Sequence, residues 1–112
     1  MRQSVIRMLL TSLVAVGVFL LCAGSLRAQN AGETLFKTKC AACHGPDGKG
    51  EVAMGKTMKV KDFASEEVQK MGDTDLSDAI TKGKGKMPAY KALTPDQVKD
   101  LVGYVRTFGK KK

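Results

Sequence analysis

Two cysteines three positions apart and a histidine directly after them, Cys40-Ala41-Ala42-Cys43-His44, carry the most chemistry in this 112-residue chain. Two thiols at that spacing, near the end of a helical turn, can both reach the vinyl edge of one porphyrin, and the adjacent imidazole then falls beneath its metal as an axial ligand. A redox dithiol, a structural disulfide and half of a zinc site compete for the same residue types. A thioredoxin-like dithiol belongs in a βαβ pattern after an apolar strand, and no such strand precedes Cys40. A zinc site needs four ligands, and the chain has neither a second C-x-x-C nor an H-x-x-x-H. C-x-x-C-H is the attachment signal of a c-type haem, so Cys40 and Cys43 are read as thioether anchors and His44 as the proximal ligand.

His44 is the only histidine, which excludes a second imidazole from this chain. The sixth position is left to a methionine sulfur, a weaker donor, water or nothing. Beyond residue 28 the methionines are Met54, Met58, Met71 and Met87. Met71 falls where a helix would bury it, and Met54 and Met58 fall in a loop, so packing is the ordinary use of each. Met87 follows Lys82-Gly83-Lys84-Gly85-Lys86 and precedes Pro88. That context bars helix and pins the loop, so its sulfur can face the iron opposite His44. A gap-filling methionine is the competing use.

Helices must position these groups. Asn30 with Glu33 three residues on reads as a capped start for a helix through Lys39 or Cys40, with Leu35, Phe36 and Cys40 on its buried side. From His44 to about Ala64, Gly45, Pro46, Gly48, Gly50 and Gly55 make a loop with a short turn over 53–58. Ser65 with Glu66 and Glu67 opens a short helix ending near Met71. Thr74 caps a third segment carrying Leu76, Ala79 and Ile80, stopped by Gly83 and Gly85. Thr94 as cap, Pro95 at the first position and Gln97 as capping-box partner open a last helix whose stripe is Val98, Leu101, Val102 and Val105. No segment alternates with period two, so the domain is expected to be all-α.

Met1 to Ala28 has a basic start at Arg2 and Arg7, sixteen uncharged residues from Met8 to Ala23, and Leu26-Arg27-Ala28. This is the layout of a secretory signal cut after Ala28, leaving residues 29–112 as one domain outside the cytoplasm. The alternatives are an uncleaved anchor, for which sixteen apolar residues fall short of the ~20 that span a bilayer, and a lipid anchor on Cys22. Removing three arginines and no acid takes 19 basic residues to 16 against 11 acidic, a net of +5. Basic and acidic residues are interspersed, which points away from nucleic acid and towards acidic protein partners. So small a domain buries little core of its own, and a haem would supply what is missing.

Cys40-Ala41-Ala42-Cys43-His44-Gly45, Gly85-Lys86-Met87-Pro88-Ala89-Tyr90 and Leu101-Val102-Gly103-Tyr104-Val105-Arg106 together resemble the class I cytochromes c, and more narrowly the small bacterial monohaem cytochromes that include cytochrome c6-like and cbb3-subunit-like domains. The resemblance implies three to five short helices around one covalently bound haem c, anchored by Cys40 and Cys43 and ligated by His44 and Met87. It also implies a close crossing of the first and last helices, with Gly32 and Phe36 on one and Leu101, Gly103 and Tyr104 on the other. Gly103 has a second reading, a tolerated surface glycine. In the family the proximal histidine donates its free ring nitrogen to a backbone carbonyl near a Gly-Pro. Gly45-Pro46 is the candidate here, with the acceptor left open.

The function this implies is a periplasmic, monomeric, non-enzymatic electron carrier working between redox proteins or membrane respiratory complexes. Lys84, Lys86 and Lys91 are candidate docking residues. The rivals are a five-coordinate haem that senses gas or turns over peroxide, and a haem subunit held permanently in a membrane complex. Peroxide chemistry would want a distal histidine or arginine; Arg106 is the only arginine after residue 28 and is expected on the surface.

Overall fold

The computed structural model describes residues 1–111, without the side chains at 21–23 and 25, so Lys112 and the lipid-anchor reading of Cys22 lie outside the described groups. Among the described residues there are six helices and no strand: α1 Arg2–Lys39, α2 Ala41–His44, α3 Ala53–Met58, α4 Glu66–Gln69, α5 Asp73–Lys82 and α6 Pro95–Lys110.

The first helix is longer than its sequence signals suggest. Asn30 does not cap it, because Leu26 to Gln29 continue the helix without a breaker and leave no free amide there to cap. Glu33 pairs instead with Lys37 one turn on, at 2.6 Å. Arg2–Leu20 is long and apolar enough to cross a membrane by length and composition, and none of it is buried. Among the residues of α1 whose burial is described, the first buried one is Gly32.

Gly32 is where α1 meets α6. A Cβ there would run into the Asp100 carbonyl and come within 3.1 Å of Tyr104 Cβ, so only glycine permits this approach. Gly103, by contrast, is exposed and has nothing within 4 Å of where a Cβ would stand, which corrects the expectation that it serves the crossing. One turn after Gly32, Phe36 is 1 % exposed and meets Tyr104 and Phe108 with ring centroids at 5.2 and 5.4 Å. The expected α6 stripe is buried throughout, together with Tyr104 and Phe108. Its capping box is as expected: Gln97 N donates to Thr94 Oγ1 at 3.2 Å, and Thr94 N to Gln97 Oε1 at 2.9 Å.

Ser65 caps α4 through Val68 N. The next helix starts one residue before Thr74. Its cap is Gly72, whose amide donates to Asp75 Oδ2 at 3.3 Å, so the carboxylate does the reciprocal half of the capping box. Arg106 is not the surface residue expected. Its guanidinium donates to Gln69 O at 2.9 Å, Met71 O at 2.6 Å and Asp73 Oδ1 at 2.6 Å, and so binds the α4–α5 junction to α6. A planar fork with five donors suits a junction where helix-end carbonyls lack partners.

Candidate functional site

Nineteen residues between Lys39 and Tyr90 line a half-open cavity of about 580 Å³ with a largely apolar wall. Cys40, Cys43, His44 and Met87 all line it, so residues up to 47 positions apart converge on one space. Met54, Met58 and Met71 reach it as well, with Phe63, Val68, Leu76 and Pro88 among the other walls.

The attachment segment is held by its backbone. Gly45 N donates to Ala41 O at 2.8 Å, and Gly50 N to His44 O at 2.8 Å. The His44 ring stacks on Phe63 with centroids 4.5 Å apart and planes at 21°. Phe63 touches Phe36 in turn, centroids 6.0 Å apart, which joins the histidine to the helix crossing through aromatic contacts. Burial lowers the His44 pKa, which favours the neutral imidazole that can bind a metal. His44 Nδ1 is buried with no hydrogen-bond partner, so neither Pro46 nor another described carbonyl takes the proton that the family resemblance led us to expect. Burial likewise raises the Cys40 thiol pKa. Cys40 and Cys43 are not joined in a disulfide.

Met87 sits on a tight turn. Met87 N donates to Lys84 O at 3.0 Å and Lys84 N to Met87 O at 3.2 Å. Gly85 supplies the positive φ, +58°, that such two-residue turns need. Gly83, at φ +77°, lies under the loop, and a Cβ there would press on the Met87–Ala89 backbone. Tyr90 N donates to Ile80 O at 2.9 Å, closing the loop against α5.

These residues fit a covalently held haem. The cavity is apolar and roomy, and two thiols and an imidazole line it together with a thioether on a pinned loop. Sequence reasoning missed part of the setting. Phe63 as the partner of His44 had no local signal. Lys84 and Lys86 line the cavity as proposed docking residues, and Lys39, Lys59 and Lys61 join them, whereas Lys91 does not line it. Among the described residues no carboxylate lines it, although Glu67 pairs with Lys61, which does.

Comparison with known proteins points the same way. Residues 27–105 match the family described as cytochrome C oxidase, cbb3-type, subunit III. Cytochrome c6 of Gloeothece citriformis is 41 % identical over 76 residues, 66 % of each chain, and cytochrome c6 of Cyanidioschyzon merolae 32 % over 81 residues, 71 % of this chain and 74 % of that one. The cbb3-type cytochrome c oxidase subunit FixP of Bradyrhizobium diazoefficiens is 36 % identical over 83 residues, 70 % of this chain. The match spans just under two thirds of the first of these relatives and 27 % of FixP. The solved KustC0563 c-type cytochrome superposes with a TM-score of 0.62 at 35 % identity, covering 69 % of this chain and 95 % of that one.

Proposed function

The chain belongs to the family of small class I c-type cytochromes and carries one covalently bound haem c, and on that premise we propose that it is an exported electron carrier whose haem is anchored by Cys40 and Cys43 and ligated by His44 and Met87. The observation that carries the reading is the convergence of those four residues on one apolar cavity. When bound, the haem supplies a one-electron couple at its iron.

The protein's own residues do the rest. Phe63 stacks on the His44 ring and restricts its rotation, and burial lowers the imidazole pKa, which favours the neutral form that can donate to a metal. The Lys84–Met87 turn presents a thioether, a soft ligand that favours the reduced iron and raises the potential. The apolar walls exclude water and resist the gain of positive charge on oxidation, which acts in the same direction. Among the described residues the cavity lining has no arginine, carboxylate or second histidine, which favours a relay over peroxide turnover.

Processing after Ala28 is part of the proposal, leaving residues 29–112 as a monomer in the periplasm or another extracytoplasmic space. Every residue of α1 before Gly32 whose burial is described is exposed, so this cut would remove none of the core. Lys39, Lys59, Lys84 and Lys86 on the cavity lining, with Lys61 paired to Glu67, give this face a positive excess, which suits acidic faces on the electron donor and acceptor. Electron-transfer rates with such partners are expected to fall steeply between tens and hundreds of millimolar salt; flat rates would remove the electrostatic docking.

The deciding experiment is the optical spectrum of the holoprotein, ferric and ferrous, with and without CO, beside Met87→Ala. A low-spin spectrum with a sulfur-to-iron charge-transfer band, insensitive to CO and lost in the variant, is expected. A high-spin, CO-reactive spectrum unchanged by the substitution would move the reading to a five-coordinate sensor or enzyme.

A further inference from the structure

Tyr90 is fastened at both ends. Its main-chain amide donates to Ile80 O at 2.9 Å, on α5. Its hydroxyl donates to Lys39 O at 3.0 Å, 51 positions back along the chain. Lys39 is the last residue of α1 and is peptide-bonded to Cys40, the first of the two thiols. Its carbonyl lies at the break between α1 and α2, where helix-end carbonyls lack intrahelical partners and can accept from elsewhere.

Among the described residues no other hydrogen bond joins positions 83–93 to α1 or α2. The turn that carries Met87 is closed on itself by its own two backbone bonds, and Lys84 to Lys86, Pro88 and Ala89 are exposed. The turn thus has an internal shape and packs on the core through Met87, but what joins it to the segment that carries the cysteines is a single hydrogen-bonded tie. Tyr90, half-buried and itself on the cavity lining, provides that tie.

We propose that Tyr90 is a positioning residue whose hydroxyl latches the Met87 loop onto the peptide preceding Cys40, holding the methionine sulfur and the cysteine anchors in register across the cavity. The proposal rests on Met87 as the sixth ligand. A swing of its loop would carry Met87 away from the iron, and the latch opposes that swing. Removing the hydroxyl takes away one neutral hydrogen bond, which raises the open population roughly five-fold.

The test is titration of the ferric holoprotein with imidazole, which enters the sixth position only when Met87 has left, read as loss of the sulfur-to-iron charge-transfer band. Tyr90→Phe keeps the ring and removes the hydroxyl, and its apparent imidazole affinity is expected to rise roughly five-fold over wild type. Val105→Ala, a core truncation on α6 that does not line the cavity, lowers stability while leaving imidazole affinity at the wild-type value. Equal affinities in wild type and Tyr90→Phe, or the same rise in Val105→Ala, overturn the latch. If wild type shows no sulfur band, the Met87 reading falls and the latch with it. If the band is present and vanishes in Met87→Ala while Tyr90→Phe titrates like wild type, the latch alone is wrong.

Discussion

The crossing of α1 and α6 and the walls of the 580 Å³ cavity are built on opposite plans. At the crossing, Phe36 and Leu101 are 1 % and 2 % exposed, and three aromatic rings interlock over a glycine that lets two backbones touch. That region supplies its own core. Around the cavity, short helices of one to three turns alternate with glycine-rich loops, and apolar side chains such as Val68 and Leu76 both join the core and line an open space. The cofactor would complete the packing there. A chain this short can thus divide its work, with one helix pair packing as protein and the remaining segments acting as a lining.

Removing the cofactor should break the comparison most. In the double variant Cys40→Ala, Cys43→Ala, haem that survives denaturation is expected to be absent altogether. Hydrogen exchange should show protection retained near residues 32–36 and 98–108 and lost over 44–90. Full protection of 44–90 without haem would mean that the walls stand unaided. The next effect concerns the crossing. Gly32→Ala forces a methyl against the Asp100 carbonyl and is expected to lower stability by about 2–3 kcal/mol in chemical denaturation. A neutral result would show that the helices can separate without loss.

The smallest effect has the opposite sign. Gly103→Ala, on the exposed face of α6, should raise stability by about 0.5–1 kcal/mol, because alanine loses less backbone entropy in a helix and meets nothing. Destabilisation there would restore Gly103 to the crossing. The two glycines look alike in sequence and differ only in what faces them.

The all-helical fold, the attachment segment and the last helix with its caps were legible because each is written in residues a few positions apart. Thr94, Pro95 and Gln97 describe one turn, and a turn is a local object. The loop that carries Met87 was legible for the same reason, since glycine and proline beside it bar helix. Where local signals competed with a neighbour, the reading slipped. Asn30 is a good cap in isolation, yet the helix before it does not stop. Thr74 is a good cap too, but Gly72 with Asp75 begins α5 just ahead of it.

What the sequence by itself determined is the chemistry: two thiols and an imidazole at the spacing that binds one haem, a thioether on a loop barred from helix, and a basic, helical chain that follows an apolar N-terminal stretch. Only the tertiary structure decided which glycine admits the crossing, that Arg106 faces inward to the α4–α5 junction, that Phe63 backs His44, that five lysines share the cavity rim, and that Tyr90 reaches Lys39. Spacing along a helix or turn is set by local geometry and can be read within a few residues. Contacts between segments some 20 to 70 positions apart depend on how several helices pack at once, and no short stretch of sequence carries that information.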